Sequence, residues 1–241
     1  FGGFGGFEAP PPPRFVASES TPSVDISKLK RQISYKSRST SVKNQLKCAA
    51  CYAFAAITAV EIALSLKENQ SLSAQEIVDC SYDDNGCIGG NPITSLNYMR
   101  DHGISLESSY KFLTEKGTCK DRSHQKYRIP FKMSRVPPKI PQILLALQKG
   151  PVAVLHISNK RLKAYTGGIF SDPDCNGNIN HSATIIGYNL DAPVPYFELK
   201  NAWGVAWGEK GFYRMAIGPL NDSNPGMCRM LDTKSLMQVT A

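Results

Sequence analysis

The sequence predicts an α+β protein built as two lobes. Segments of helical composition crowd the chain before Pro151, and short β-type runs, separated by Gly, Asn and Pro, fill the chain after it. At 241 residues, 41% of them hydrophobic, the chain is long enough to bury a sizeable core. No internal repeat competes with this reading.

The elements follow in order. "FGGFGGFEAPPPPRF" is low in complexity; its Gly-Gly pairs are flexible and its four prolines hold an extended form. Residues 1–32 are therefore expected to be a tail or linker remnant, with the packed domain running over 33–241. "CYAFAAITAVEIALSLK", Cys51 to Lys67, is apolar almost all round and predicts a helix buried through the middle of the protein. "SLSAQEIVDC" starts a second helix, with Ser73 and Glu76 placed as a capping box. "NPITSLNYMRDHG" predicts a third that stops at Gly103. "KIPQILLALQKGP" is a short amphipathic helix, with Pro141 near its start and Gly150-Pro151 after its end. The runs "VAVLHI", "SATIIGY", "YFELKNAW" and "GFYRMAI" read as strands. The helical lobe is expected at about 36–138 and the β-rich lobe at about 139–241.

Composition narrows the function classes. The formal net charge is +8, and basic residues gather between Lys28 and Lys47. No aromatic-interleaved or groove-reading motif accompanies them, so this stretch reads as a solvated face and no nucleic-acid partner is expected. No apolar run reaches the roughly 18–20 residues that would span a bilayer. The first residue is Phe, which reads as a fragment or a processed form. Seven cysteines allow three bridges and one leftover thiol, which would need an explanation in an oxidising compartment. Asn69 and Asn221 begin N-glycosylation patterns, as does Asn180 in "NHS", although that last one lies in a candidate catalytic segment.

The stretch "NQLKCAACYAF" carries the chemistry. Its CxxC could be half a zinc site, a dithiol redox site, or a lone nucleophile beside a bridged neighbour. Zinc needs four ligands, and no second CxxC is present. A thioredoxin-like site would follow a strand in a βαβ unit, whereas polar and basic residues precede this one. A nucleophilic cysteine needs a base and a group that orients the base. Cys51 sits where the long helix should begin, and a helix start favours negative charge. Four histidines could be the base. His102 in "DHG" and His124 in "DRSHQKYR" lie in polar surroundings, and His156 at a strand end suits a satisfied buried ring. His181 sits where a loop runs into a strand, a rigid support for a reacting group. It follows Cys51 by 181 − 51 = 130 residues, and Asn201 follows by 201 − 51 = 150.

From about Tyr35 onward the chain resembles the papain-like cysteine proteases of the cathepsin L type. "NQLKCAACYAF" is similar to the family's Gln-x-x-Cys-Gly-Ser-Cys-Trp-Ala-Phe segment. "SAQEIVDC", "GCIGG", "YTGGIFSDPDC", "NHSATIIGY" and "KNAWGVAWGEKGFYRM" follow in the family's order, and the spacings of His181 and Asn201 are the family's. The resemblance implies a two-lobed fold, a helical left lobe and an antiparallel β-barrel-like right lobe with the cleft between them. It implies bridges Cys48–Cys87, Cys80–Cys119 and Cys175–Cys228, leaving Cys51 free. It assigns Cys51 as nucleophile, His181 as base, Asn201 as its orienter under Trp203, and Gln45 with the Cys51 N–H as oxyanion hole. Gly89 and Gly90 would edge the cleft. Pro92, Leu155, Ile179 and Ser182, with Thr233 as floor, would line a pocket preferring apolar side chains.

The implied activity is endopeptidase, since no paired-histidine insertion between Cys80 and Cys87 is present to block the cleft. Implied partners are protein or peptide substrates, a propeptide outside this chain and cystatin-like inhibitors. The expected form is a monomer of the secretory pathway, lysosomal, vacuolar or extracellular, with no cofactor or metal. The chain departs from the pattern at Ala49 and Ala50 for Gly and Ser, Tyr52 for Trp, Ala202 for Ser and Phe197 for Trp, with the Ala49 methyl expected to narrow the cleft. A weakened homologue that binds peptides without cutting them is the alternative.

Overall fold

A computed structural model describes residues 21–120 and 129–241. Residues 1–20 and His124 lie outside the described residues.

The long apolar run forms α1 (Cys51–Ala63), buried along its length. It ends before Lys67, because Leu64 closes the helix and Ser65 turns into a left-handed conformation at φ 50°. Around it pack α2 (Ala74–Cys80) and α3 (Pro92–His102). The capping box on α2 is half made. Ser73 Oγ accepts from Glu76 N, but Glu76 does not return to Ser73, whose N–H goes to Ser105 O. The Glu76 carboxylate instead accepts from Ser105 N, Ser105 Oγ and Tyr98 OH. Asn91 caps α3, Pro92 takes its first turn, and Gly103 ends it at φ 73°.

The second half is a sheet. Among the described residues its strands are β1 (Gln32–Ser34), β2 (Lys132–Arg135), β3 (Val152–His156), β4 (Ile169–Phe170), β5 (His181–Asn189), β6 (Tyr196–Lys200), β7 (Phe212–Ala216) and β8 (Met237–Thr240). The order is β2-β8-β3-β5-β6-β7-β4, antiparallel except for the parallel pair β4/β7, which departs from a wholly antiparallel lobe. The first half of β5 pairs with β3, and its second half takes β1 as well as β6, with an irregularity between Ile185 and Gly187. A side chain at Gly187 would run into the Ile33 carbonyl, so glycine is what lets β1 close on β5. Two short helices, α4 (Ile140–Leu147) and α5 (Lys160–Lys163), flank the sheet.

Two large clusters of apolar side chains form the core. One lies under the sheet and the other is centred on α1. The lobes do not divide the chain as cleanly as the sequence suggests. β2, in the helical stretch, pairs with β8, and Met237 and Val239 of β8 pack in the α1 cluster. Packing also begins before residue 33. A 3-10 turn at Ile26–Lys28 and Leu29 lies against the sheet-side core, and Leu190 N donates to Arg31 O.

Candidate active site

Cys51 opens α1. Ala50 in the cap position offers no side-chain bond to the helix start, so the first N–H groups stay available to another acceptor. The Cys51 and Tyr52 N–H groups favour a charged sulfur on Cys51, as does the Ser182 N–H from the other lobe. The remaining six cysteines form Cys48–Cys87, Cys80–Cys119 and Cys175–Cys228, and Cys51 is free. The CxxC is therefore neither a dithiol nor a metal half-site: Cys48 ties the approach to α1 to the loop at Cys87.

His181 is the first residue of β5, one position before Ser182. Its Nε2–H donates to Asn201 Oδ1 at 3.0 Å, which leaves Nδ1 as the nitrogen able to take a proton. Asn201 Oδ1 also accepts from Ala202 N at 2.9 Å, which fixes its orientation. Trp203 lies over His181, with ring centroids 4.7 Å apart. Thr184 Oγ1, three residues along β5, donates to Ala55 O at 2.7 Å and pins the strand to the first turns of α1. Gln45 is 1% exposed and so is not a surface amide. Its N–H donates to Ala202 O, and its Nε2 donates one hydrogen to Cys48 O at 3.1 Å, leaving the other free for a ligand.

The family model for papain family cysteine proteases matches residues 23–236. Caricain from Carica papaya is 36% identical over 196 residues, covering 78% of this chain and 55% of its own length. The chain belongs to the papain family of cysteine proteases. A solved structure of the bromelain protease from Ananas comosus in complex with the E64 inhibitor superposes with TM-score 0.76 at 31% identity, covering 88% of this chain and 99% of that one. The digestive procathepsin L 3 of Tenebrio molitor larval midgut gives TM-score 0.76 at 28% identity, covering all of this chain and 76% of that one. The chain spans about half the length of the first curated relatives it matches.

The departures from the papain-family pattern resolve physically. The Ala49 side chain is 1% exposed inside the α1 cluster, so its methyl fills core and does not narrow the cleft. Tyr52 is fully buried and its hydroxyl donates to Gly86 O at 2.6 Å. Ala202 serves through its backbone, and Phe197 packs in the sheet-side core. Gly89 has φ 152°, and a Cβ on Gly90 would meet the Tyr52 ring and the Asp84 carboxylate at 2.6 Å. The demand for glycine at position 90 is therefore internal to the protein.

The residues expected to line a pocket lie on separate segments, partly joined. Leu155 on β3 faces Ser182 on β5 in register, and Ile179 packs against both core clusters. Asn91 Nδ2 donates to Ser235 Oγ at 3.4 Å, which ties Pro92 at the head of α3 to the turn holding Thr233. Thr233 Oγ1 donates to Met230 O and accepts from Ser235 N.

His102 and His156 separate as expected. His102 is exposed. His156 is buried with both nitrogens partnered, by Ile157 O and by Tyr213 OH, each at 2.7 Å. What sequence reasoning missed is that His156 stands directly opposite His181 on the paired strands. Pairing the end of "VAVLH" with the start of "HSATII" antiparallel would have shown it. Asn69 and Asn221 are exposed, whereas both ends of the Asn180 side chain bind the Ser158 backbone. In the basic stretch Lys43 pairs with Glu107 and Glu68, and Arg31 with Asp191.

Burial pushes the Cys51 thiol up to about 12, opposed by the three backbone N–H groups, led by Ser182. Burial likewise pushes His181 well below the usual imidazole range; the neighbouring His156 and Lys163 add to this, and the Asn201 bond opposes it.

Proposed function

We propose that the chain is a cysteine endopeptidase working through Cys51, His181, Asn201 and Gln45. The observation that carries this is a free cysteine, Cys51, at the start of α1, together with a buried imidazole, His181, held by Asn201 and covered by Trp203. Moving the thiol proton to His181 Nδ1 makes an ion pair without changing the net charge of the site. Burial penalises each lone charge, but the pair's mutual attraction at short range opposes that penalty, and the α1 N–H groups add to the sulfur side. The thiolate attacks the substrate carbonyl. The oxyanion is held by the Cys51 N–H and the second Gln45 amide hydrogen, and His181 protonates the leaving amine. Water, deprotonated by His181, then cleaves the thioester.

The pocket of Pro92, Leu155, Ile179, Ser182 and Thr233 would take an apolar side chain two residues before the cut. It contains no charged group to pair with Arg or Glu. On this reading the peptidase domain includes the packed residues 26–32 as well as 33–241. Protein or peptide substrates, a propeptide and cystatin-like inhibitors are its partners, and it acts as a monomer. Three disulfides suit the secretory pathway, lysosomal, vacuolar or extracellular, with Asn69 and Asn221 as surface acceptors for glycan.

Active-site titration with an epoxide inhibitor, beside cleavage of a peptide library, tests this. One equivalent of label on Cys51, and turnover lost in Cys51→Ala, is expected. Unlabelled Cys51 with peptides bound but intact would establish a binder instead.

A further inference from the structure

Behind His181 the protein places a second buried histidine. His156 and His181 are direct partners across β3 and β5, so their side chains lie on one face; their ring centroids are 5.3 Å apart at 68°. The Ile157 carbonyl can only accept, so His156 Nδ1 carries the hydrogen, and Nε2 accepts from the Tyr213 hydroxyl of β7. Tyr213 continues the contact. Its ring lies 5.9 Å from His156 and 5.2 Å from Trp207, which lies 4.8 Å from Trp203, which lies 4.7 Å from His181. Five rings thus close a circuit with the His181 imidazole as one member.

A hydrogen-bonded polar pair is costly in such a core unless every atom is partnered, and here each is. The pair is more specific than packing requires, since two apolar side chains would fill the same space. Its consequence is a charge state. With Nδ1–H given to a carbonyl and Nε2 occupied by an O–H donor, the ring has no site for a second proton unless the tyrosine turns away.

We propose that His156 and Tyr213 are a positioning pair for His181: Tyr213 locks His156 as an uncharged ring against the His181 imidazole, so that His181 can carry the positive charge. This rests on the proteolytic reading of the site. The surroundings favour it. β5 brings His181 to this face, β7 brings Tyr213, and α1 brings Cys51, whose charge acts on Tyr213. Lys163 of α5 acts on His181. The residues of α4 and β8 include no ionisable side chain, and Arg229, in the short helical turn beside β3, is drawn outward to Asp232 and Gly177 O. No carboxylate of the described residues offsets a charge on His156; burial alone pushes it down to about 4, against the Ile157 bond. A proton there would lie one ring away from His181 and oppose its imidazolium.

The test is the acid limb of kcat/KM against pH in Tyr213→Phe, which removes only the hydroxyl. Without that donor His156 accepts a proton more readily, and the limb moves up by about one pH unit, through kcat and not KM. The double variant His156→Leu/Tyr213→Phe replaces the pair with apolar groups of similar shape and removes the titrating ring, so the limb returns to the wild-type position or below. An unmoved limb in Tyr213→Phe, or a loss equal at all pH values that the double variant does not reverse, overturns the proposal. Should Tyr213→Phe fail to fold, nitrogen NMR of the wild-type His156 ring decides. The Nδ1–H neutral tautomer is expected across the active pH range, and a charged ring in active protein refutes it. Wild-type protein that neither cleaves peptides nor takes the epoxide would sink the proteolytic reading instead, with the tautomer still readable by NMR.

Discussion

Asn201 and Gln45 each hold a partner with one atom and keep another in reserve. Asn201 Oδ1 receives both His181 Nε2–H and Ala202 N–H, so the ring is oriented by an acceptor that is itself fixed. Asn201→Ala should lower kcat by about 10- to 100-fold without abolishing it, the size of a lost bond to a charged group. Gln45→Ala should cost about 100- to 1000-fold in kcat, as removal of an oxyanion donor does, with little change in KM. Single-turnover kinetics on one dipeptidyl reporter separates the two. At this scale the sequence was informative where a motif names an atom: Cys51, His181, Asn201 and Gln45 could be chosen from spacing and resemblance. It was silent where the partner is backbone or a cross-strand neighbour. The effect of the Ser182 N–H on Cys51 and the place of the His156 ring against His181 come from the β3/β5 pairing, which no local pattern states.

The elements that position the site are joined at few points. The Cys48–Cys87 bridge anchors the chain just before α1, and the Thr184–Ala55 bond holds β5 to that helix. Replacing Cys48 and Cys87 together by Ala should destabilise the protein by about 2–5 kcal/mol, read by urea denaturation. Ser73→Ala, by loss of one N-cap bond on α2, should cost only about 1 kcal/mol. Helices α1 to α4 and the long strands were legible because their periodicity or apolar runs are strong, whereas the one-turn α5 was not. The short strands β1, β2, β4 and β8, two to four residues each, were not, since they exist only because a neighbour supplies the ladder. The Ser73–Glu76 pattern shows the converse failure: the local rule held for the serine, while Ser105 and Tyr98 took the glutamate.

The whole molecule should be acid-sensitive for a reason built into its core. His156 has an ordinary value near 6.5 in the unfolded chain and about 4 when folded. Between those values the unfolded state binds the extra proton, so stability is fully present above about pH 6.5 and falls as pH is lowered toward 4. The loss attributable to His156 is about 3 kcal/mol. Urea midpoints measured from pH 7 to pH 4 should fall accordingly, and less steeply in the His156→Leu/Tyr213→Phe double variant. The two-lobed fold itself was readable from the change of texture at Pro151, but not the crossing of β8 into the helical core or the packing of residues 26–32, both of which depend on distant segments.

The reaction of Cys51 with iodoacetamide, followed from pH 4 to pH 10 in the wild type and in His181→Ala, tests the account most directly. The imidazole should keep the sulfur reactive at about pH 5–6, far below an ordinary thiol's range near 8.5, and His181→Ala should remove that acidic reactivity. A wild-type sulfur that reacts only in alkali, with a profile His181→Ala does not change, would contradict it.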